Sequence, residues 1–285
     1  MTSEPLLDVR NLTVAFPGAP APAVADVSFR LDAGECLALI GESGSGKTLT
    51  ALSLLGLAPQ DAVLGASRMM VDGRDVRDYR PAQWRELRGS TLALVSQDAA
   101  VSLDPLRRIE GEVGEAFRLA NRAASADEVA SRVDEALALA AMPDPRVRKK
   151  QYPHELSGGL RQRALIASAL SGHPSVVIAD EPTTALDSVT QERILTLLES
   201  LKCAGTALLL VTHDVGVVRK VADRIAVMQE GRIIECAPTP TLFAAPHHEY
   251  TRGILEARRT MTLSATPVSA SDSTVLECRA VSRNY

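Results

Sequence analysis

The chain has 285 residues, 46% of them hydrophobic and 23% charged, a composition typical of a globular protein with one large or two modest domains. Its net charge of −4 argues against nucleic acid as the main partner, because proteins that bind nucleic acid are more often basic. No apolar run reaches the length of a membrane span and the N-terminus lacks a signal-peptide pattern, so we expect a cytoplasmic protein.

The first elements lead into a phosphate-binding motif. Apolar alternation predicts strands at residues 6–16 and 24–31, and an apolar run predicts a strand at 36–40. Residues 41–48 then fit G-x-x-x-x-G-K-[ST], directly before a predicted helix at 49–57. Glycines let backbone N–H groups approach phosphate oxygens, and the helix N-terminus adds partial positive charge. We expect nucleotide contacts from Gly41, Ser43, Gly44, Ser45, Gly46, Lys47, Thr48 and Leu49.

Within this motif, the pattern assigns the β- and γ-phosphates to Lys47 and Mg²⁺ to the Thr48 hydroxyl. The alternative is a simple glycine–serine turn between a strand and a helix. Agreement between strand, loop, lysine–threonine pair and helix favours the phosphate loop.

A helical block follows three short elements, namely a strand at 69–71, a helix at 81–88 and a strand at 92–96. Residues from about 98 to 171 contain no convincing strand. Ser125 and Glu128 form a capping box for a helix that runs to about residue 142, and Ser157 begins another that ends near residue 172. We therefore predict a helical subdomain inserted into an α/β sheet.

Two carboxylates end the next predicted strand, at residues 175–179. Asp180 is expected to hold Mg²⁺ and Glu181 to polarise the attacking water. Two acidic residues at a strand end are common, but a phosphate loop in the same chain favours the catalytic interpretation. The sequence after this strand predicts a second capping box at Ser188, which begins a helix that Gly205 ends. It further predicts a strand at 206–211, a hairpin at 225–237 and helices at 239–244 and 250–259.

One further motif is weak by itself. Residues 156–163, Leu-Ser-Gly-Gly-Leu-Arg-Gln-Arg, form a turn that opens a helix. Its place in the order of motifs is specific: phosphate loop, Gln97 after a strand, this turn, Asp180 and Glu181, then His213 after a strand. In this order, residues 6 to about 259 resemble the ATP-binding-cassette (ABC) ATPase family.

The resemblance implies a fold and a set of roles. The fold would be a P-loop NTPase core sheet with an antiparallel β subdomain and the inserted helical subdomain. Ser157, Gly158 and Gly159 would contact ATP held by a second cassette, and Asp187 would communicate across that dimer. Gln97 would lie near Mg²⁺ and His213 at the γ-phosphate. Phe16 either stacks on adenine or is a core strand residue.

Within this family the chain resembles the oligopeptide, dipeptide and nickel importer group. Residues 96–105, 180–187 and 242–251 carry that similarity, although the cysteine-rich extension of many peptide importers is missing. The resemblance implies ATP and Mg²⁺ as cofactors. It also implies transmembrane permease subunits, an external solute-binding protein as an indirect partner, no nucleic acid, and a peripheral position on the cytoplasmic face of the membrane. The solute would be a peptide, a nickel or other metal chelate, or a similar small molecule.

Other functions and the chain end complete the expectations. A soluble cassette ATPase acting on nucleic acid or the ribosome is the main alternative, but the chain has neither coiled-coil arms nor a basic linker. Residues 1–259 would form the cassette and 260–274 a linker. Residues 276–285 align with residues 7–16, so residues 275–285 would begin a second cassette, or the match arises by chance.

Overall fold

A computed structural model describes residues 4–97, 99–184 and 186–263 of the chain. In these residues the strands are β1 (Leu7–Ala15), β2 (Val24–Leu31), β3 (Cys36–Ile40), β4 (Val63–Gly65), β5 (Arg68–Val71), β6 (Arg74–Asp75), β7 (Leu92–Val95), β8 (Val176–Asp180), β9 (Ala207–Val211), β10 (Arg224–Gln229) and β11 (Arg232–Pro238). The helices are α1 (Lys47–Leu54), α2 (Pro81–Ser90), α3 (Ala99–Ser102), α4 (Ile109–Ala120), α5 (Ala126–Leu139), α6 (Pro145–Arg148), α7 (Gly158–Ser171), α8 (Ser188–Cys203), α9 (Val215–Val221), α10 (Thr239–Ala244) and α11 (Glu249–Leu263), with a 3₁₀ turn at Pro153–Glu155.

The central sheet has the strand order β11-β10-β3-β9-β8-β7. Its strands are parallel except β11, which returns antiparallel to β10. Both faces are buried: in β3, Ala38 and Ile40 pack into one hydrophobic core, and Leu37 and Leu39 into the other. This explains the continuous apolar runs of the sequence, which are typical of parallel strands covered on both sides.

The two cores join the central sheet to the other two layers. One core contains the antiparallel sheet β2-β1-β5-β6, with β4 paired to β1, and includes Ala51 and Leu54 of α1, together with Leu55 at its C-cap. The other core contains the helical block, where α4, α5 and α7 pack on one another. The predicted fold, an α/β core with an antiparallel β subdomain and an inserted helical subdomain, is confirmed.

The predicted helix cap of α5, the helix end at Gly205 and the hairpin turn are confirmed, and each depends only on residues close in sequence. Ser125 and Glu128 cap α5 reciprocally. Gly205, after α8, has a φ of +98°, and Glu230 and Gly231 turn the β10–β11 hairpin with φ of +48° and +77°. These backbone angles are the ones that favour glycine at helix ends and in tight hairpin turns.

Three sequence predictions need correction. The capping box at Ser188 is wrong, because Asp187 is the N-cap of α8 and its carboxylate accepts the Thr190 N–H at 2.9 Å. The edge strands β4 and β6 were not predicted. Helix α11 continues to Leu263, past the predicted end at residue 259, and residues 264–285, including most of the predicted linker and the predicted second cassette start, lie outside the described residues.

No helix in the described part of the chain is both long and apolar enough to span a membrane.

Candidate functional site

The phosphate loop connects β3 to α1 at the carboxyl edge of the central sheet. A side chain at Gly41 would place its Cβ 2.3 Å from the Met228 carbonyl oxygen, so only glycine fits against the neighbouring strand. Gly44 and Gly46 have φ of +82° and +98°, which orients the loop backbone, and a Cβ on Gly44 would meet open space. The loop therefore presents exposed backbone before the N-terminus of α1, as anion binding requires.

Lys47 lies against the inner side of this loop. Its Nζ donates to the carbonyl oxygens of Gly41 and Glu42, at 3.0 and 2.7 Å, and to Ser45 Oγ at 3.3 Å. Burial lowers the pKa of Lys47, while the charges of Glu181, Asp180 and Glu42 act in the opposite direction. A buried ammonium that donates to neutral oxygens forms stronger hydrogen bonds with negatively charged acceptors, and phosphate oxygens are such acceptors.

Asp180 ends β8 and faces α1. Burial raises the pKa of its carboxyl group, and the charge of Glu181 adds to the effect, while a hydrogen bond from Thr48 and the charge of Lys47 oppose it. Its Oδ1 is buried and has no hydrogen-bond partner among the residues that the structure describes. An unpartnered carboxylate oxygen beside a threonine hydroxyl fits the oxygen ligand set that Mg²⁺ prefers. A bound Mg²⁺ would neutralise phosphate charge during phosphoryl transfer.

Glu181 follows Asp180 with a φ of +51°, an unfavourable backbone angle for a residue with a side chain. Its Oε2 accepts hydrogen bonds from the hydroxyls of Thr184 and Thr212, at 3.0 and 3.3 Å. Its Oε1 accepts the backbone N–H of His213 at 3.0 Å and contacts His213 Nδ1. The contacts fix the carboxylate in one orientation, as a group that polarises water requires.

A cavity of about 940 Å³ brings most of the predicted site residues together. Its lining includes the predicted residues Gly41, Ser43, Gly44, Gly46, Lys47, Thr48, Leu49, Gln97, Asp180, Glu181 and His213. Ser45 is buried behind the loop and contacts Lys47. The volume is within the range of a small-molecule site.

Besides Ser45, five predicted residues do not line this cavity, namely Phe16, Ser157, Gly158, Gly159 and Asp187. Phe16 is half-buried and belongs to neither hydrophobic core within the described residues, so the core alternative is not supported and its place at adenine stays a prediction. Ser157 is the N-cap of α7, but its hydroxyl makes no capping hydrogen bond, and it is exposed together with Gly158. The roles of these residues therefore stay predictions.

Sequence reasoning missed several residues of the site. Tyr250, Gly253 and Ile254 of α11 line the cavity opposite the parallel strands. Gln162 of α7 is buried and donates from Nε2 to the carbonyl of Pro182 at 3.2 Å and to that of Ser96 at 3.5 Å. It thus connects the segments after β7 and β8 that carry Gln97 and Glu181. The similarity of residues 242–251 to a family segment was the only sequence signal for Tyr250, and it indicated no role.

The site combines a phosphate loop, an acidic strand end beside it and a histidine after the next strand. This combination defines a nucleoside triphosphatase of the P-loop class. A family model described as "ABC transporter" matches residues 24–184, more than half of the chain. The chain belongs to this family, whose cassettes bind and hydrolyse ATP.

Curated relatives and solved structures agree with this assignment. The chain is 46% identical over 259 residues to the peptidoglycan transport ATP-binding protein YejF of Agrobacterium fabrum, covering 90% of this chain and 47% of that protein. It is 43% identical over 256 residues to the probable peptide ABC transporter ATP-binding protein y4tR of Sinorhizobium fredii, covering 88% and 76%. The chain therefore spans about half the length of the first relative and about three quarters of the second.

Among solved structures, the ATP-binding cassette MJ0796, a dimer in a post-hydrolysis state bound to ADP and phosphate, superimposes with a TM-score of 0.72. It is 28% identical, and the match covers 82% of this chain and 98% of that one.

Proposed function

We propose that this chain is the ATPase subunit of an importer, with Mg²⁺ as the cofactor of hydrolysis. The observation that carries the proposal is the cavity that joins Lys47, Thr48, Asp180, Glu181 and His213. In this proposal Lys47 binds the β- and γ-phosphates, Thr48 and Asp180 hold Mg²⁺, and Glu181 polarises the attacking water. Gln97 and His213 complete the surroundings of the γ-phosphate.

Two cassettes act together in this proposal. Ser157 and Gly158 are exposed, Gly159 is half-buried, and all three lie outside the cavity of their own chain, so they are available to contact ATP bound to a second cassette, with Asp187 at the same interface. The dimer would bind transmembrane permease subunits at the cytoplasmic face of the membrane, and an external binding protein would deliver the solute. The names of the relatives favour a peptide or a peptide-containing solute, and nickel or another metal chelate is the second candidate.

Hydrolysis is tested with Glu181→Gln and Lys47→Ala in the full chain. Glu181→Gln should retain ATP binding and lower Mg²⁺-dependent turnover by about 10²–10⁴-fold, because the general base is lost. It should also accumulate an ATP-bound dimer, measured by light scattering after size-exclusion chromatography. Glu192→Gln is the matched control, since Glu192 is 61% exposed on α8. Unchanged turnover in Glu181→Gln would contradict the role of Glu181.

Permease binding is tested by cysteine crosslinking in membranes that contain the permease subunits. Val101 is 83% exposed beside the segment that carries Gln97, so Val101→Cys should crosslink to a permease subunit. Val63→Cys, on the antiparallel sheet and 63% exposed, is the control. Equal crosslinking from both positions would contradict the proposed docking site. The solute class is tested in vesicles that contain the assembled transporter. Uptake of a labelled tripeptide is compared with uptake of a labelled nickel chelate, and the solute that is taken up identifies the class.

A further inference from the structure

A strap at the end of the cassette, residues 245–254, runs from α10 to the cavity. Glu235 of β11 fixes its first half, because its two carboxylate oxygens accept the backbone N–H groups of His247 at 2.9 Å and His248 at 3.1 Å. His248 Nδ1 then accepts the N–H of Tyr250 at 3.2 Å and so caps the start of α11. These contacts set the position of the first turn of α11.

This first turn reaches the phosphate loop through Tyr250. The phenol oxygen of Tyr250 accepts the backbone N–H of Glu42 at 3.0 Å, across 208 residues of sequence. The carbonyl of the same residue, Glu42, accepts Lys47 Nζ at 2.7 Å. The strap therefore holds the N–H of Glu42, while Lys47 and the Ser45 N–H, at 3.2 Å, hold its carbonyl.

We propose that Tyr250 is a positioning residue for ATP binding and that the strap is a wall of the ATP site. The proposal rests on nucleotide binding in this cavity. Phosphate oxygens attract the Lys47 ammonium more strongly than neutral carbonyls do. When ATP takes the hydrogen bonds of Lys47, the Glu42 carbonyl loses the lysine and keeps the Ser45 N–H at 3.2 Å, while Tyr250 still holds the Glu42 N–H. Tyr250 thus favours the loop conformation that binds phosphate, at the moment when the internal contacts weaken.

The wall is formed by the face of α11 that carries Gly253 and Ile254, both of which line the cavity. A Cβ built on Gly253 meets no atom within 4 Å, so this position opens onto free space and not onto packed protein. A large side chain there would fill the cavity without disturbing the core.

Tyr250→Phe tests the positioning role, because it removes the hydroxyl and keeps the ring. Loss of one neutral hydrogen bond should weaken ATP binding about three- to tenfold, measured by isothermal titration with the full chain. The KM for ATP should rise by a similar factor, with kcat changed less than about twofold, since the loop and not the reacting groups is affected. Tyr79→Phe is the matched control, because Tyr79 is half-buried, contacts Trp84 and lies outside the cavity.

Glu235→Ala tests the strap and should weaken ATP binding in the same direction. If Glu235 acts through Tyr250, the double variant should bind ATP no more weakly than the weaker single variant, which is the signature of coupled residues. Gly253→Trp tests the wall and should reduce ATP affinity without lowering the melting temperature of the nucleotide-free protein.

The outcomes separate this inference from the proposed function. Wild-type protein that is folded but does not bind ATP would overturn the proposed function. Wild-type binding that is lost in Lys47→Ala but unchanged in Tyr250→Phe would overturn the positioning role. An equal loss of affinity in Tyr250→Phe and Tyr79→Phe, with lowered melting temperatures in both, would also overturn it. Unchanged binding in Gly253→Trp would overturn the wall.

Discussion

Two buried aspartates, Asp8 and Asp180, have opposite surroundings, and we predict that replacing each by asparagine changes stability in opposite directions. Asp8 is 3% exposed and accepts hydrogen bonds from Arg68 at 2.7 Å and Arg10 at 3.1 Å, with Arg30 at 3.4 Å. Asp180 is 9% exposed, and its Oδ1 has no hydrogen-bond partner in the described part of the chain. The same substitution therefore removes a carboxylate that three arginines surround in one case, and a carboxylate with one unpartnered oxygen in the other.

For Asp180→Asn we expect stabilisation of the nucleotide-free protein. A buried polar group without a partner costs about 1–3 kcal/mol, and more when it is charged. The attraction between Asp180 and Lys47 offsets part of this cost, and Asn can still accept the hydrogen bond from Thr48. A net gain of about 1 kcal/mol raises the melting temperature by about 2–4 °C in a domain of this size.

For Asp8→Asn we expect destabilisation. Burial acts to raise the pKa of Asp8, but hydrogen bonds from Arg10 and Arg68 and the charges of Arg10 and Arg30 outweigh it, so the pKa is lowered. The side chains of the three arginines are 46%, 59% and 46% exposed, so solvent screens much of the attraction. We therefore expect a loss of about 1 kcal/mol.

The pH dependence follows from the two pKa directions. The folded-state pKa of Asp180 is raised, so folding favours its protonated form, and the advantage of Asp180→Asn is largest near pH 8. That advantage shrinks as the pH falls through the folded pKa and vanishes near the unfolded value of about 3.9. The folded-state pKa of Asp8 is lowered, so its contribution is complete above about pH 3.9 and is lost as the pH falls through the folded value.

The assay is thermal unfolding of the full chain from about pH 4 to pH 8, without nucleotide and with EDTA, with Mg²⁺-ATP turnover measured in parallel. Asp180→Asn should combine a higher melting temperature with lost turnover, because asparagine offers no charge to Mg²⁺. A melting temperature below that of the wild type at pH 8 would refute the argument that Asp180 is held at a cost in stability.

The remaining predictions concern two serine N-caps and two glycines. Ser157→Ala should leave the melting temperature unchanged, because the hydroxyl makes no capping bond, whereas Ser125→Ala should cost about 1 kcal/mol at a complete capping box; equal costs in thermal unfolding would contradict this. Gly253→Ala should stabilise α11 by about 0.5–1 kcal/mol, since its Cβ meets open space, and a lower melting temperature would contradict it. Gly41→Ala should destabilise the fold by about 2 kcal/mol or more and abolish ATP binding, because its Cβ would lie 2.3 Å from the Met228 carbonyl oxygen; normal ATP titration would disprove the clash.

The parts of the site that the sequence predicts are those that need only local chemistry and strand order. The phosphate loop combines glycines, a lysine and a threonine within eight residues, and its strand and helix lie directly beside it. Asp180 ends a strand of the parallel sheet, and Glu181 and His213 follow strands of the same sheet, whose carboxyl ends meet at one edge. Periodicity and motif order therefore suffice for these residues.

The sequence predictions fail where contacts between distant residues, or a choice between two N-caps, determine the local structure. The residues of β4 are all exposed, and the strand exists because it pairs with β1, so apolar alternation gives no signal for it. At α8, Asp187 and Ser188 are both good N-caps, and the choice depends on Thr190, which donates both its N–H and its hydroxyl to Asp187. Short-range patterns do not separate these two possibilities.

Tyr250 shows the same limit at the site itself. Its partner, Glu42, is fixed by the phosphate loop, but its own position depends on Glu235 in the antiparallel return strand β11. Because β11 lies at the edge of the central sheet, beyond β10 and β3, it can carry the chain back toward the loop after the parallel strands have ended. In the proposed function, the parallel strands thus supply the groups that act on phosphate, and the antiparallel return supplies the proposed wall that faces them. A sequence motif describes the first half of this arrangement, while the second half follows only from the topology.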